Sequence, residues 1–280
     1  MMIGRRLILG APALLLGACA AGRETATAAM AAPLLELAAD GLAQGGFSVG
    51  RVPPGSRVTL DGRAISVGAE GRFALGFGRD AAPEAQLAVH APDGRAETRR
   101  LAIARREWDI QRLTGLPPKM VTPDAKQLAR IKAERARLNA LRRLDSPLPH
   151  FAEGFDWPAR GRISGVYGSQ RILNGEPRAP HLGLDVAVPT GTPCAAMGGG
   201  RVLLADNLYF TGNTVLLDHG HGLVSLYAHL SRMDVAEGAM LARGQHLGET
   251  GATGRVTGPH LHLGLYWFTT ALDPRPLLPA

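Results

Sequence analysis

PHLGLDVAVPTGTP, residues 180–193, decides how the second half of the chain is read. Leu182, Leu184, Val186 and Val188 alternate there with His181, Gly183, Asp185 and Ala187. Successive side chains of a strand point to opposite faces, so one face is apolar and the other carries an imidazole and a carboxylate. GPHLHLGLYW (258–267) repeats the pattern, with His260 and His262 on one face and Leu261, Leu263 and Leu265 on the other. A third stretch, LVSLYAHL (223–230), sets Tyr227 and His229 opposite Val224, Leu226 and Ala228. Seven of the nine histidines lie after residue 180, a clustering that isolated structural histidines do not produce.

A catalytic zinc ion takes three protein donors at ~2.0 to 2.3 Å and keeps one position open. His181, Asp185 and one of the pair His260 and His262 meet that count. Residues four apart on a straight strand are separated by ~13 Å, so the strand must bend or end between His181 and Asp185; Gly183 is the expected bend. His229 is a candidate to take a proton beside the metal. There is no H-E-x-x-H helix to supply a glutamate base, so histidine is considered for that work. A rival pair, His219 and His221 in DHGHG (218–222), has ligand spacing but is interleaved with glycine and is expected in a hairpin turn. His150 and His246 stand alone and are read as surface residues.

Working outward, residues 46–105 are short alternating runs broken by Pro and Gly turns, the pattern of a small β-sandwich. Residues 106–149 are read as a linker and an amphipathic helix. That helix is predicted over 123–144, with Thr122 as N-cap and Pro123 first, an apolar stripe of Leu128, Ile131, Leu138, Leu141 and Leu144, and a basic outer face. At 1.5 Å per residue it would hold two domains apart by ~30 Å. Residues 150–280 return to strands and glycine turns. The fold class is therefore mainly β.

At the start, MMIGRRLILGAPALLLGACA (1–20) places Arg5 and Arg6 before an apolar run too short to span a bilayer, the pattern of an export signal. LGAC resembles a lipobox, which would make Cys19 a lipidated membrane anchor in a periplasmic, outer-membrane lipoprotein; simple secretion is the alternative. Residues 21–45 read as a tether. With only Cys19 and Cys194 there is no disulfide framework, and Cys194 is expected to be a small buried hydrophobe. The net charge of +7 would suggest nucleic acid inside a cell, but export removes that partner and points to an anionic envelope polymer. An aromatic content of 5% argues against a stacking platform for single strands.

VYGSQR (166–171), HLGLDVAVPTGTP (181–193), GNTVLLDHGHGLVSLYAHL (212–230) and GATGRVTGPHLHLGLYW (251–267) together carry a resemblance. In that order, over about residues 160 to 275, the chain resembles the lysostaphin-type, LytM-like zinc metallopeptidases that cut peptide bonds in bacterial peptidoglycan. The resemblance implies a C-terminal antiparallel β-sheet metallopeptidase domain with a groove crossing Zn2+. It makes His181, Asp185 and His262 the metal ligands, and His229 and His260 the catalytic histidines. Leu263 and Gly264 depart from the aromatic residue and glutamate that often follow H-L-H in that family. The expected function is a zinc-dependent endopeptidase acting on peptide cross-links or stem peptides through a metal-activated water. A non-catalytic wall-binding protein or amidase activator of the same fold is the alternative. Arg171 and Arg178 are candidates to hold substrate carboxylates.

Overall fold

The computed structural model describes Met1 and residues 33–113, 124–173, 175–177 and 179–280. The export signal with Cys19, residues 21–32 of the expected tether, Thr122, Pro123 and Arg178 lie outside the described residues.

The first part is β1 (Glu36–Leu37), β2 (Phe47–Arg51), β3 (Arg57–Leu60), β4 (Arg63–Ile65), β5 (Arg72–Gly76), β6 (Glu84–His90) and β7 (Ala96–Ala102). They form a three-stranded sheet, β1-β2-β5, and a four-stranded sheet, β4-β3-β6-β7, both antiparallel. Alternation builds their shared core: Phe47, Phe73 and Leu75 from one sheet meet Val58, Leu87 and Val89 from the other. The expected tether is shorter than its predicted span of 21–45. Leu34 and Leu35 are buried and β1 pairs with β2, because two consecutive leucines gain more by entering the core than by remaining in water.

β8 (Ile110–Leu113) follows, and it is not a free linker. It pairs in parallel with β10 (Gln170–Leu173), so residues expected to connect two domains join the second one's sheet structure. The helix, α1, spans Ala125–Arg142 rather than 123–144. Its N-cap is Asp124: the carboxylate accepts from Gln127 N at 2.8 Å and the Gln127 side chain accepts from Asp124 N at 2.9 Å. This reciprocal capping box satisfies two end-of-helix N–H groups. Nor does α1 hold two domains apart. Leu138 and Leu141 pack on a cluster of Leu204, Leu216, Val224 and Leu226, and Arg142 lies 3.5 Å over the Tyr266 ring. Of the predicted stripe, Leu128 and Leu144 remain exposed. The basic face is partly used internally, since Arg137 pairs with Asp206 at 2.6 Å and Glu237 at 2.8 Å.

The remaining strands are β9 (Arg162–Gly165), β10, β11 (Glu176–Pro177), β12 (Leu184–Ala187), β13 (Pro193–Ala195), β14 (Gly200–Leu208), β15 (Gly212–Gly220) and β16 (Leu223–Leu230). After them come β17 (Arg232–Met233), β18 (Met240–Leu241), β19 (His246–Glu249), β20 (Leu261–Trp267) and β21 (Thr270–Leu272). Eight of them form one sheet in the order β18-β14-β15-β16-β20-β12-β9, with β21 beside β20. Its neighbours are antiparallel. β15 and β16 are buried almost throughout, with one face under α1 and the other in the main core.

The two parts share one core. Gly76 sits so close beneath Trp267 that a Cβ there would come within 2.6 Å of it, and the Arg63 guanidinium lies 4.5 Å over Phe268. Arg106 pairs with buried Asp273 at 2.8 Å, whose backbone N–H donates to Gly45 O at 2.8 Å. Among the described residues no helix is long and apolar enough to cross a membrane.

Candidate metal centre and active site

Register brings the two predicted polar pairs together. β12 pairs antiparallel with β20 so that Asp185 stands directly opposite His262, and on the other side of β20 Ala228 stands opposite His262. His229, one residue further along β16, thereby reaches the same end of the sheet. It does so with φ at +64°, a left-handed conformation that non-glycine residues seldom adopt, held by its N–H donating to Thr211 O at 2.8 Å. Strained backbone of this kind clusters where a side chain must be aimed.

His181 and Asp185 meet because the strand starts between them: β12 begins at Leu184. Gly183 lies at a bend directly before the strand, as predicted, and has a second role. A Cβ on it would lie 2.5 Å from His262 Cε1, so glycine leaves room for that ring. Gly165 does the same for Asp185, where a Cβ would come within 2.4 Å of Oδ2.

The donor atoms converge. His181 Nε2 lies 3.1 Å from Asp185 Oδ1 and 3.1 Å from His262 Nδ1, and His262 Nδ1 lies 2.8 Å from Asp185 Oδ1. Ligands ~2.0 to 2.1 Å from one tetrahedral ion are separated by about 3.3 Å, so these three are near the spacing that a zinc ion imposes. The tautomers agree: His181 Nδ1–H donates to Val166 O at 3.1 Å, leaving Nε2 as the free lone pair. Two imidazoles and one carboxylate are donors that suit Zn2+. This is the one group of at least three metal-ligating side chains found among the described residues.

Burial opposes ionisation of Asp185, but hydrogen bonds from His181 and His262 and their charges outweigh it, so its carboxyl is held well below the usual carboxylate range. Arg171 lies 3.8 Å from Asp185 Oδ2. A carboxylate of the protein itself thus stands beside Arg171, the candidate to hold a substrate carboxylate. Burial lowers the affinity of His262 for a proton, against the opposing pull of Asp185.

His260 and His229 stand beside the triad. Their ring centroids are 4.8 Å apart, and His229 lies 6.1 Å from His262. His229 Nδ1–H donates to Thr253 O at 2.8 Å and His260 Nδ1–H to Gly258 O at 2.9 Å, so each commits one nitrogen to backbone and turns Nε2 away from it; Nε2 of His260 lies 3.8 Å from Asp185 Oδ1. Burial is the main cause that lowers His229 to a pKa of about 4, helped by the neighbouring His262 and His260, so near neutrality it is uncharged.

The rival pair goes elsewhere. His221 is in the turn, at φ +51°, with Nδ1 bonded to Ser66 O at 3.1 Å. His219 is not in the turn as predicted; it is fully buried at the end of β15. Its Nδ1–H donates to Gly199 O at 2.6 Å, and its Nε2 lies 2.8 Å from Ser225 Oγ. Ser225 Oγ lies 3.0 Å from Tyr227 Oη, which accepts from Met197 N at 2.8 Å. Every polar atom of this row is satisfied if Tyr227 donates to Ser225 and Ser225 to His219. Cys194 is buried, and burial pushes its thiol up to about 12, so it is an inert hydrophobe as expected.

Comparison with known proteins agrees with this geometry. Residues 179–274 match peptidase family M23. Peptidoglycan DD-endopeptidase ShyA of Vibrio cholerae is 43% identical over 108 residues, 38% of this chain and 25% of ShyA. The DD-carboxypeptidase/endopeptidase Mpg of Neisseria meningitidis serogroup B is 44% identical over 82 residues, 29% of this chain and 19% of Mpg. The chain thus spans a quarter or less of the length of these two curated relatives. A crystal structure of an M23 peptidase from Pseudomonas aeruginosa is 33% identical, with a TM-score of 0.64, covering 83% of this chain and 93% of that one. Sheet, donor triad and a structural relative matched over most of both chains converge, and the chain belongs to peptidase family M23.

Proposed function

We propose that the chain is a zinc-dependent endopeptidase hydrolysing peptide cross-links or stem peptides of bacterial peptidoglycan, with His181, Asp185 and His262 as metal ligands and His229 and His260 as catalytic residues. The observation that carries this reading is the meeting of three donors within about one ligand spacing, with two further histidines beside them whose Nε2 atoms are not bound by backbone. Zn2+ bound there would supply Lewis-acid polarisation of the scissile carbonyl and a more acidic water.

The histidines do the proton work. With Nδ1–H held by a backbone carbonyl, Nε2 of His229 or His260 accepts a proton from the attacking water and passes it to the leaving amine nitrogen. The imidazolium formed in between donates to the developing oxyanion. Arg171 orients Asp185 from its Oδ2 side. The names of the curated relatives support a peptidoglycan substrate. Arg5, Arg6 and the apolar run after them support export to the periplasm, and the LGAC motif supports anchoring to the outer membrane through lipidated Cys19. Residues 46–105 act as a β-sandwich-like module on a metallopeptidase domain of residues 150–280.

The test is digestion of cross-linked peptidoglycan by the mature chain, with the products separated by mass. Loss of cross-linked dimers that stops with chelator, and with His260→Ala, is the expected result. Intact peptidoglycan after incubation with chain shown to hold zinc would overturn the enzyme reading in favour of wall binding or amidase activation.

A further inference from the structure

The turn Val166–Ser169 holds His181 at three points. Gly168 N–H donates to His181 O at 2.7 Å, His181 N–H donates to Ser169 O at 2.8 Å, and His181 Nδ1–H donates to Val166 O at 3.1 Å. The placement of this imidazole is therefore the placement of the turn. Within the turn Ser169 Oγ donates to Val166 O at 2.9 Å, while the central Gly168, at φ +84°, brings no side chain of its own.

The bracing comes from outside the catalytic sheet. Arg79, in the loop between β5 and β6, donates Nε–H to Gly168 O at 2.8 Å from a position only 17% exposed. Trp108, just before β8, lies flat enough on Gly168 that a Cβ there would come within 2.0 Å of the indole Cε3. The guanidinium groups of Arg79 and Arg106 lie 5.3 and 4.7 Å from the Trp108 ring centroid. The Tyr167 ring meets Trp108 edge-on with centroids 5.6 Å apart, and its hydroxyl donates to Ala271 O at 2.8 Å. Gly45, from the first part of the chain, packs against the same tyrosine ring. Such contacts hold a turn in one geometry only if all of them are present together.

We propose that Arg79 and Trp108 are positioning residues of the metal centre: the N-terminal module, through Arg79, and the segment before β8, through Trp108, clamp the Val166–Ser169 turn and so fix His181 for binding. The inference rests on the zinc reading above. Its physical basis is that a pre-placed donor does not have to be ordered when the ion arrives, so removing the clamp weakens affinity without removing a ligand. It also gives the module a role at the metal centre, since a chain lacking it would bind metal worse.

The experiment measures zinc affinity of the full chain by competition with a chromophoric chelator, alongside melting of the metal-free protein and amide exchange at Gly168 and His181. Wild type is expected to bind one zinc ion. Arg79→Ala and Trp108→Ala are expected to bind roughly ten- to a hundredfold more weakly, with faster exchange at both amides. Arg79→Lys keeps a donor and Trp108→Phe keeps an aromatic face, so both should recover most of the affinity. Ser66→Ala removes a bond from Ser66 to Asp145, a contact of the same module elsewhere, and should leave affinity unchanged. Equal affinity in all variants overturns the proposal. So does a loss in Ser66→Ala as large as in Trp108→Ala, which would reduce the effect to general loosening. Absence of zinc binding by a cooperatively melting wild type would instead bring down the zinc reading itself.

Discussion

Gly183 and His262 occupy a space that admits no side chain on the former, and this sets a sharp test at the residue scale. Gly183→Ala must push the His262 ring out of line or distort β12. The expected cost is about 1–3 kcal/mol in stability, as for other overpacked sites, with zinc affinity reduced at least tenfold by chelator competition. The two classes of histidine separate by the same assay. His262→Ala is expected to lose stoichiometric zinc, whereas His229→Ala keeps it while peptidoglycan cleavage falls roughly 10²- to 10⁴-fold. Retention of zinc by His262→Ala would show that another residue is the third ligand. The five histidine and aspartate positions were legible because each interrupts an apolar alternation. Arg171 facing Asp185 was not, since nothing local distinguishes it from any basic loop residue.

At the scale of elements, α1 shows how a local rule was misapplied. Pro123 suggested the first helical position, but Asp124 and Gln127 form a capping box that starts the helix later. Asp124→Ala should destabilise the chain by about 1 kcal/mol and lower its melting midpoint by a few degrees, with zinc affinity unchanged. β16 was read as having one polar face, with Tyr227 beside His229. Tyr227 is instead fully buried in the hydrogen-bonded row that ends at His219, and only His229, turned by its positive φ, reaches the site. A period-two pattern identifies faces but not which of them meets solvent when both are covered.

For the whole molecule, the buried row makes stability depend on pH. Burial is the main cause that holds His219 at a pKa of about 4 when folded, against about 6.5 in the unfolded chain. Between these values the unfolded chain binds more protons, so this contribution is complete above about pH 6.5 and is lost as pH falls through 4. Its full span is about 3 kcal/mol, and His229 acts in the same direction. Denaturant unfolding of metal-free protein should therefore show lower stability at pH 4.5 than at pH 7; a flat profile would mean that His219 is not held neutral. The sequence by itself determined the mainly β class and the paired polar faces that carry the candidate ligands, because side-chain alternation along a strand is a local property written in every second residue. Only the tertiary structure decided that α1 packs on the eight-stranded sheet, that β8 pairs with β10 in a separate three-stranded sheet, that His219 is core, and that Arg79 and Trp108 contact the turn behind His181. Those depend on which distant surfaces bury each other, and burial between segments far apart in the chain leaves no periodic mark on either one.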